Sequence, residues 1–174
     1  YPLGTPGGGR VKWLRDNDAD GTLDEVHVFA DGLSYPTSVI PWRDGAYIIA
    51  APHILFAKDT NGDGRADHIE PQLTGIDEAN PQHRASGFEI GLDGWLHFAA
   101  GHGTKELKSH RNGVTYQVSH RDVAWNPDTG EVRNTTGETQ FIRSRDDFGN
   151  WFGNSNSQPM YQFVIEDRYL KGRS

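Results

Sequence analysis

The stretch DTNGDGRADHIE, residues 59–70, decides how the rest of the chain is interpreted. Asp59, Asn61 and Asp63 occupy its first, third and fifth places, a glycine follows at the sixth, and Glu70 ends it. Calcium takes six to eight oxygen ligands, and this spacing wraps them around one point, with the glycine allowing the sharp turn. The pattern predicts a calcium loop; the alternative is an Asp/Gly-rich surface turn that holds no ion. The predicted ligand positions are Asp59, Asn61, Asp63, Arg65, Asp67 and Glu70.

An earlier copy of this loop is DNDADGTLDEVH, residues 16–27. His27 stands where Glu70 ends the other loop, so the copy lacks the bidentate carboxylate and is expected to bind calcium more weakly. Its predicted ligand positions are Asp16, Asp18, Asp20, Thr22 and Asp24.

The residues around these loops indicate strands. GAYIIAAPHILFAK precedes the second loop and is rich in β-branched and aromatic residues, whereas paired EF-hands would need a helix on both sides of each loop. We expect strands near 37–41, 46–50 and 53–58, with a turn at Arg43–Gly45. The two loops start 43 residues apart, which matches the length of about 40–45 residues for one four-stranded propeller blade.

Strand and turn patterns recur further along the chain. The Asp93-Gly94 turn corresponds to the Asp44-Gly45 turn, and DDFGNWFGNSN at 146–156 resembles both segments. Residues 113–134 supply two further strands around an Asn126–Gly130 turn. The expected fold is all-β: one partial β-propeller domain over residues 1–174 with three to four blades, or alternatively a β-sandwich. The blade-like units are near 10–73, 83–134 and 140–170, after an irregular lead-in at 1–9.

Composition excludes several classes of function. The net charge of −7 argues against nucleic acid as a partner, because phosphate binding needs clustered Lys and Arg. With no cysteine, the chain has no disulfide, no thiolate metal site and no covalent haem attachment. No apolar run approaches the length of a membrane span, and the opening YPLGTPGGGR is expected to lie within a mature protein.

Three stretches carry a resemblance to a known family: GRVKWLRDNDADGTLDEVHVFADGLSYPTSVIPWRDGAYIIAAPHILFAKDTNGDGRADH, QHRASGFEIGLDGWLHFAAG and RDDFGNWFGNSNSQPMYQFVIEDRYL. They resemble the membrane-bound dehydrogenase domain of planctomycete-type bacteria, which is related to quinoprotein glucose and sorbosone dehydrogenases. The resemblance implies a six-bladed propeller, a periplasmic or secreted location and often a cytochrome c domain on the same polypeptide. It also implies pyrroloquinoline quinone bound with calcium over the propeller axis.

The same resemblance implies catalytic residues. In the relatives, a His within H-x-G-G-x-L-x-F-G-P-D-G-x-L-Y abstracts the proton of a sugar hydroxyl while hydride passes to the quinone. His83 begins the matching run here, which departs from the pattern at Ala85-Ser86, Leu92 and His97. The relatives place an Arg beside the quinone in the next blade, and Arg143 lies near the matching position.

Two hypotheses of function follow from these patterns. One is a calcium-containing, quinone-dependent dehydrogenase that oxidises a sugar or alcohol and passes electrons to a cytochrome. The other is a non-catalytic, calcium-stabilised propeller that binds glycans or a protein partner. Under both hypotheses, further blades are expected to complete the propeller. No HExxH, G-x-S-x-G, Walker A or Rossmann motif occurs, which disfavours hydrolase, nucleotide-binding and nicotinamide-dependent functions.

Overall fold

The computed structural model describes residues 7–118 and 120–170, and within them the fold is all-β with no α-helix. Short 3₁₀ turns occur at Pro81–His83 and Asp167–Tyr169. The strands are β1 Gly9–Arg15, β2 Glu25–Leu33, β3 Pro36–Trp42, β4 Gly45–Ala50, β5 His53–Lys58, β6 His68–Thr74, β7 Arg84–Ile90, β8 Leu96–Gly101, β9 Glu106–Ser109, β10 Thr115–Gln117, β11 Asp122–Trp125, β12 Val132–Thr135, β13 Ser144–Arg145, β14 Trp151–Gly153 and β15 Tyr161–Phe163.

The described strands form four antiparallel sheets, numbered here in chain order. The first sheet is the hairpin β1–β2, and the second has the order β10-β9-β6-β5-β4-β3. The third has the order β12-β11-β8-β7, and the fourth β13-β14-β15. The expected all-β class is therefore confirmed. Over residues 7–118 and 120–170, no helix has the length and apolar character needed to cross a membrane.

The second sheet starts as the sequence predicts. Strands were expected near 37–41, 46–50 and 53–58, and β3, β4 and β5 cover these positions. Trp42 pairs with Gly45, so the connection at residues 43–44 is a tight turn, and Arg43 adopts φ +53° in it. From Ala46 onward every residue of β4 is buried, because other sheets cover both faces of this strand.

One hairpin of the second sheet comes from a distant part of the sequence. The chain leaves the third sheet after β8, forms β9 and β10, and returns to the third sheet at β11. β9 pairs with β6 through Leu73 opposite Ser109 and Thr74 opposite Lys108. A hydrogen bond of 2.9 Å from His110 N to Gln72 O extends the contact. No local pattern in the sequence predicts this hairpin.

The first strands of the last three sheets lie side by side. Between β3 and β7, Thr37 Oγ1 donates to Ala85 O at 2.6 Å and Phe88 N donates to Ser38 Oγ at 3.0 Å. Between the third and fourth sheets, Arg145 Nε donates to Ile90 O at 2.7 Å. These bonds hold β3, β7 and β13 in one row.

Two apolar clusters fill the space between successive sheets. Between the second and third sheets, Tyr47 packs edge-on against Trp125, with ring centroids 4.8 Å apart. Ile48 points the other way, into a smaller cluster with Ala30 and Leu33 of the first sheet. β4 therefore contributes side chains to both clusters, one from each of its faces. Full burial of one such aliphatic side chain stabilises the fold by about 1.5–3 kcal/mol.

Candidate functional site

The first acidic loop is the connection between β1 and β2. The Asp16 carboxylate accepts hydrogen bonds from Ala19 N at 2.7 Å and Gly21 N at 2.9 Å. The bond from Gly21 is the main cause that lowers the pKa of Asp16 from its ordinary value. Ala19 and Gly21 adopt positive φ, so the chain curls around the Asp16 carboxylate as a calcium loop requires.

Three carboxylates of this loop converge. One oxygen each from Asp16, Asp18 and Asp24 lies within 4.8 Å of the other two. Asp24 is held in position because its Oδ2 accepts a hydrogen bond of 2.7 Å from Asn17 N. None of the three forms a salt bridge with a basic side chain among the described residues. Hard oxygen ligands without a protein counter-ion fit calcium. Two further predicted positions hold the loop instead, since Asp20 Oδ1 accepts from Thr22 N at 2.6 Å.

The second acidic loop, between β5 and β6, repeats this geometry. Asp59 accepts from Gly62 N and Gly64 N, both at 2.7 Å, and the Gly64 bond is the main cause that lowers the Asp59 pKa. Asn61 Oδ1 accepts from Asp63 N at 2.9 Å. At the remaining predicted positions, Asp63 Oδ1 accepts from Arg65 N, and Asp67 accepts from both the N and Oγ1 of Thr60.

The residues at the twelfth place of each loop have other contacts. Glu70 lies on β6, where Oε1 accepts from Gln72 Nε2 at 2.9 Å and Oε2 is 3.4 Å from His68 Nε2. His27 stacks on Trp13, with ring centroids 4.2 Å apart. A bidentate role for Glu70 stays a prediction and requires its side chain to leave Gln72.

Trp13 connects the two acidic loops. Its Nε1 donates a hydrogen bond of 2.9 Å to Gly64 O, and Ala66 N donates one of 2.7 Å to Phe29 O. A cavity of about 470 Å³ lies between the hairpin β1–β2 and the second loop, with Asp59 and Asp63 in its wall. No local pattern around Trp13 predicts this role, because the contact with Gly64 joins positions 51 residues apart in the sequence.

The predicted base His83 ends the 3₁₀ turn that precedes β7. Asn80 caps that turn by accepting from Gln82 N at 3.0 Å. β7 begins one residue after His83, because the 3₁₀ turn occupies residues 81–83. Its half-buried imidazole lies 4.5 Å, centroid to centroid, from that of His102, and His102 N donates to His83 O at 3.1 Å.

The second predicted catalytic residue, Arg143, belongs to a buried ion pair. Its Nη1 donates to Asp122 Oδ2 at 3.0 Å and to Thr136 O at 2.7 Å. Thr139 also donates to Asp122 through its backbone N–H and hydroxyl. Burial raises the pKa of Asp122, while the bonds from Thr139 and Arg143 oppose the rise. The Arg143 guanidinium lies over the ring of Trp151 at 4.8 Å.

Arg143 borders a cleft of about 740 Å³ between the third and fourth sheets. His97 stacks on Trp151 there, with centroids 4.2 Å apart, and its Nε2 donates a hydrogen bond to the Asp93 carboxylate at 3.4 Å. Burial lowers the pKa of His97 to about 4, so the imidazole is neutral at ordinary pH. His83 lines neither this cleft nor the cavity beside Trp13.

Comparison with protein families gives one match. The family model described as Domain of unknown function (DUF7133) matches residues 1–174, the whole chain. The chain belongs to the DUF7133 family. No curated protein matches this DUF7133 chain.

In this DUF7133 chain the predicted site residues lie at four places: the two acidic loops, His83 before β7 and Arg143 before β13. The first acidic loop brings three predicted carboxylates together, and the second has the same backbone geometry. The pair His83 and Arg143 does not share a described cavity. No local pattern predicts His97 and Asp122 as neighbours of Arg143, because they reach it from strands of the third sheet.

Proposed function

We propose that this chain is part of a β-propeller in which each sheet is a blade. Two features support this over a β-sandwich. In the second sheet, β3 to β6 lie in sequence order from one edge inward, and in the third sheet β7, β8, β11 and β12 lie in sequence order from edge to edge, as strands of a blade do. In addition, the first strands β3, β7 and β13 lie side by side, which radial packing of blades around an axis requires.

The function that the geometry supports best is calcium binding by the two acidic loops, which makes the chain a calcium-stabilised propeller domain. The convergence of Asp16, Asp18 and Asp24 carries this proposal. A bound cation would neutralise part of the net charge of −7 and fix the tips of two hairpins that Trp13 already joins. With the resemblance described above, we propose a periplasmic or secreted location, with glycans or a protein as the bound partner.

Thermal unfolding with calcium, with magnesium and with a chelator tests this proposal. For a Kd on the order of 10⁻⁴ to 10⁻³ M, about 10 mM calcium stabilises the folded state by about 1.4–2.7 kcal/mol per site. The matched control is the double variant Asp16→Asn, Asp59→Asn, which keeps the shape of both side chains and should lose the calcium response. A calcium response that survives in the double variant would refute the assignment of the loops.

A second candidate is a quinone-dependent sugar or alcohol dehydrogenase that delivers electrons to a cytochrome c. The pairing of His83 with His102 at the start of β7 favours it, because a general base must be held near the position of a reacting hydroxyl. His83 lines neither of the two cavities described above, so neither of them brings this imidazole to a bound pyrroloquinoline quinone. Addition of the quinone with calcium, followed by removal of unbound quinone, tests binding: a retained quinone absorbance supports the enzyme, and its absence favours the non-catalytic domain.

A further inference from the structure

We infer that His83 and His102 together bind a divalent transition-metal ion. The two residues lie directly opposite each other where β7 begins and β8 ends, one position outside the paired residues Arg84 and Gly101. His102 N donates to His83 O at 3.1 Å, which continues the ladder by one step. Opposite residues of an antiparallel pair place their side chains on the same face, with Cβ atoms about 4.5–5.5 Å apart. Both imidazoles therefore project from one side of the third sheet.

The separation of the two rings fits a shared ion. An imidazole nitrogen lies about 2.0–2.1 Å from a bound zinc ion, so the centroid of its ring lies about 3.2 Å from the metal. Two imidazoles that bind one ion at an angle of about 90–109° then have centroids about 4.5–5.2 Å apart. The centroids of His83 and His102 are 4.5 Å apart.

The tilt between the rings distinguishes this pair from a stack. The ring planes of His83 and His102 are inclined at 57°, whereas those of His27 and Trp13 are inclined at only 9°. In a stack, the ring nitrogens point along the ring plane and past the neighbouring ring. Inclined rings can direct one lone pair each towards a common point, as a chelated ion requires.

The nitrogens of this pair are also free of protein partners. Six of the eight histidines form a hydrogen bond or ion pair with another side chain, and these are His27, His53, His68, His97, His110 and His120. In the described part of the chain, the ring nitrogens of His83 and His102 have no such partner. Both side chains are half-buried, so an ion in solvent has access to them.

The donor atoms select the class of ion. Calcium and magnesium take oxygen ligands, whereas neutral imidazole suits zinc, nickel and copper. No third imidazole or carboxylate among the described residues lies close enough to join the pair, so water completes the coordination. For such a nitrogen site, copper(II) should bind more tightly than nickel or zinc.

This site is separate from the calcium proposal, because neither acidic loop contributes a ligand. It is also an alternative use of His83, since a nitrogen that binds an ion does not accept a proton. Metal binding and the action of that nitrogen as a general base therefore exclude each other.

Calorimetric titration of the untagged chain with zinc chloride tests the inference, in about 10 mM calcium so that the acidic loops are filled. We expect one saturable site per chain. His83→Gln and His102→Gln should each weaken zinc binding about 100-fold, the low end of the gain from two linked contacts over one. His120→Gln, at an exposed position paired with Glu138, is the control and should leave the affinity unchanged.

Electron paramagnetic resonance of the native chain, loaded with less than one equivalent of copper(II), does not depend on the stability of any variant. It should show nitrogen couplings from two imidazoles. Couplings from fewer than two imidazoles, an absence of zinc binding, or equal losses in His83→Gln and His120→Gln would overturn the inference. Circular dichroism of the variants separates a lost ligand from a lost fold. If calcium fails to stabilise the chain while zinc binding persists, the calcium proposal fails and the histidine site stands.

Discussion

The indole Nε1 of Trp13 donates a hydrogen bond of 2.9 Å to the backbone carbonyl of Gly64, and this bond joins the hairpin β1–β2 to the second acidic loop. Gly64 is the sixth residue of that loop, and its own N–H donates to Asp59 at 2.7 Å. The peptide groups on both sides of Gly64 are therefore fixed, one by Trp13 and one by Asp59. The position of β1 thus controls the shape of a predicted ion site elsewhere in the sequence.

Trp13→Phe keeps an aromatic ring but removes the donor to Gly64. We expect the free energy of unfolding to fall by about 1 kcal/mol, the usual net value of one hydrogen bond, and the second loop to bind calcium more weakly. Urea denaturation and calcium calorimetry measure the two effects. Trp42→Phe replaces a tryptophan away from both loops and should not alter calcium affinity. Equal losses of calcium affinity in the two variants would show that the bond from Trp13 to Gly64 does not support the second loop.

The two acidic loops should differ in calcium affinity. The loop at 59–70 is expected to be the tighter site because Glu70 can supply two oxygens, which His27 cannot. Asp63→Ala should abolish the tighter calorimetric transition, and Asp20→Ala should remove only the weaker one. The ranking is wrong if Asp20→Ala removes the tighter transition, which would mean that the converging carboxylates of the first loop outweigh Glu70.

Stability should depend on pH through His97. Its folded-state pKa of about 4 is below the ordinary value of 6.5, mainly because of burial. Between these values the unfolded chain binds the additional proton, so the stabilisation is complete above pH 6.5 and is lost as pH falls towards 4. The loss amounts to about 3 kcal/mol.

Urea denaturation between pH 4.5 and 7 measures this dependence for the native chain and for His97→Gln. The lowered pKa values of Asp16 and Asp59 act only below this range, so they do not interfere. The variant should show a clearly smaller change with pH. If the free energy of unfolding of His97→Gln changes with pH as much as that of the native chain, a group other than His97 causes the dependence.

Substitutions of Asp122 and Arg143 should have strongly non-additive effects on stability. Arg143→Met leaves the Asp122 carboxylate buried without its cation, and we expect a loss of about 3–5 kcal/mol. The double variant Asp122→Leu, Arg143→Met should lose much less than the sum of the single changes. Arg168→Met, in an exposed pair, is the control and should change stability by less than about 0.5 kcal/mol. Additive losses would show that the two residues act separately.

If the domain oxidises sugars or alcohols, His83→Ala should lower turnover at least about 10²-fold, the low end of general-base contributions. Substrate binding should change far less, because the imidazole acts on the proton. His120→Ala, at an exposed position before β11 and away from both acidic loops, is the matched control. Undiminished turnover in His83→Ala would leave the enzyme hypothesis without its base.

Local patterns in the sequence were enough to predict the hairpins. The turns at Arg43–Gly45, Asp93-Gly94 and Asn126–Gly130 each separate paired antiparallel strands in the structure, since turn residues fix chain reversal within a few positions. Both acidic loops likewise fold around their first aspartate. These features depend on neighbours in sequence, which a pattern records directly.

Contacts between distant segments could not be predicted in this way. No pattern near residue 106 indicates that β9 pairs with β6. Likewise, no pattern near Arg143 indicates that its guanidinium donates a hydrogen bond to Asp122. Asn80, the residue before Pro81, is extended as that position favours, but its side chain caps a 3₁₀ turn over Pro81–His83, which places His83 just before β7. Such outcomes are decided by packing between sheets.

The hairpin β9–β10 has a consequence for how the chain folds as it leaves the ribosome. β6 has no partner on its outer side until a segment 36 residues beyond Thr74 has been synthesised, as the contact between Thr74 and His110 shows. At a synthesis rate of about 5–20 residues per second, the edge of β6 stays bare for about 2–7 seconds. Exposed strand edges pair readily with other chains. Glu70 and Pro71 lie on the part of β6 that β9 does not pair with, and we expect the carboxylate and the missing N–H to make this stretch of edge a poor template for other chains.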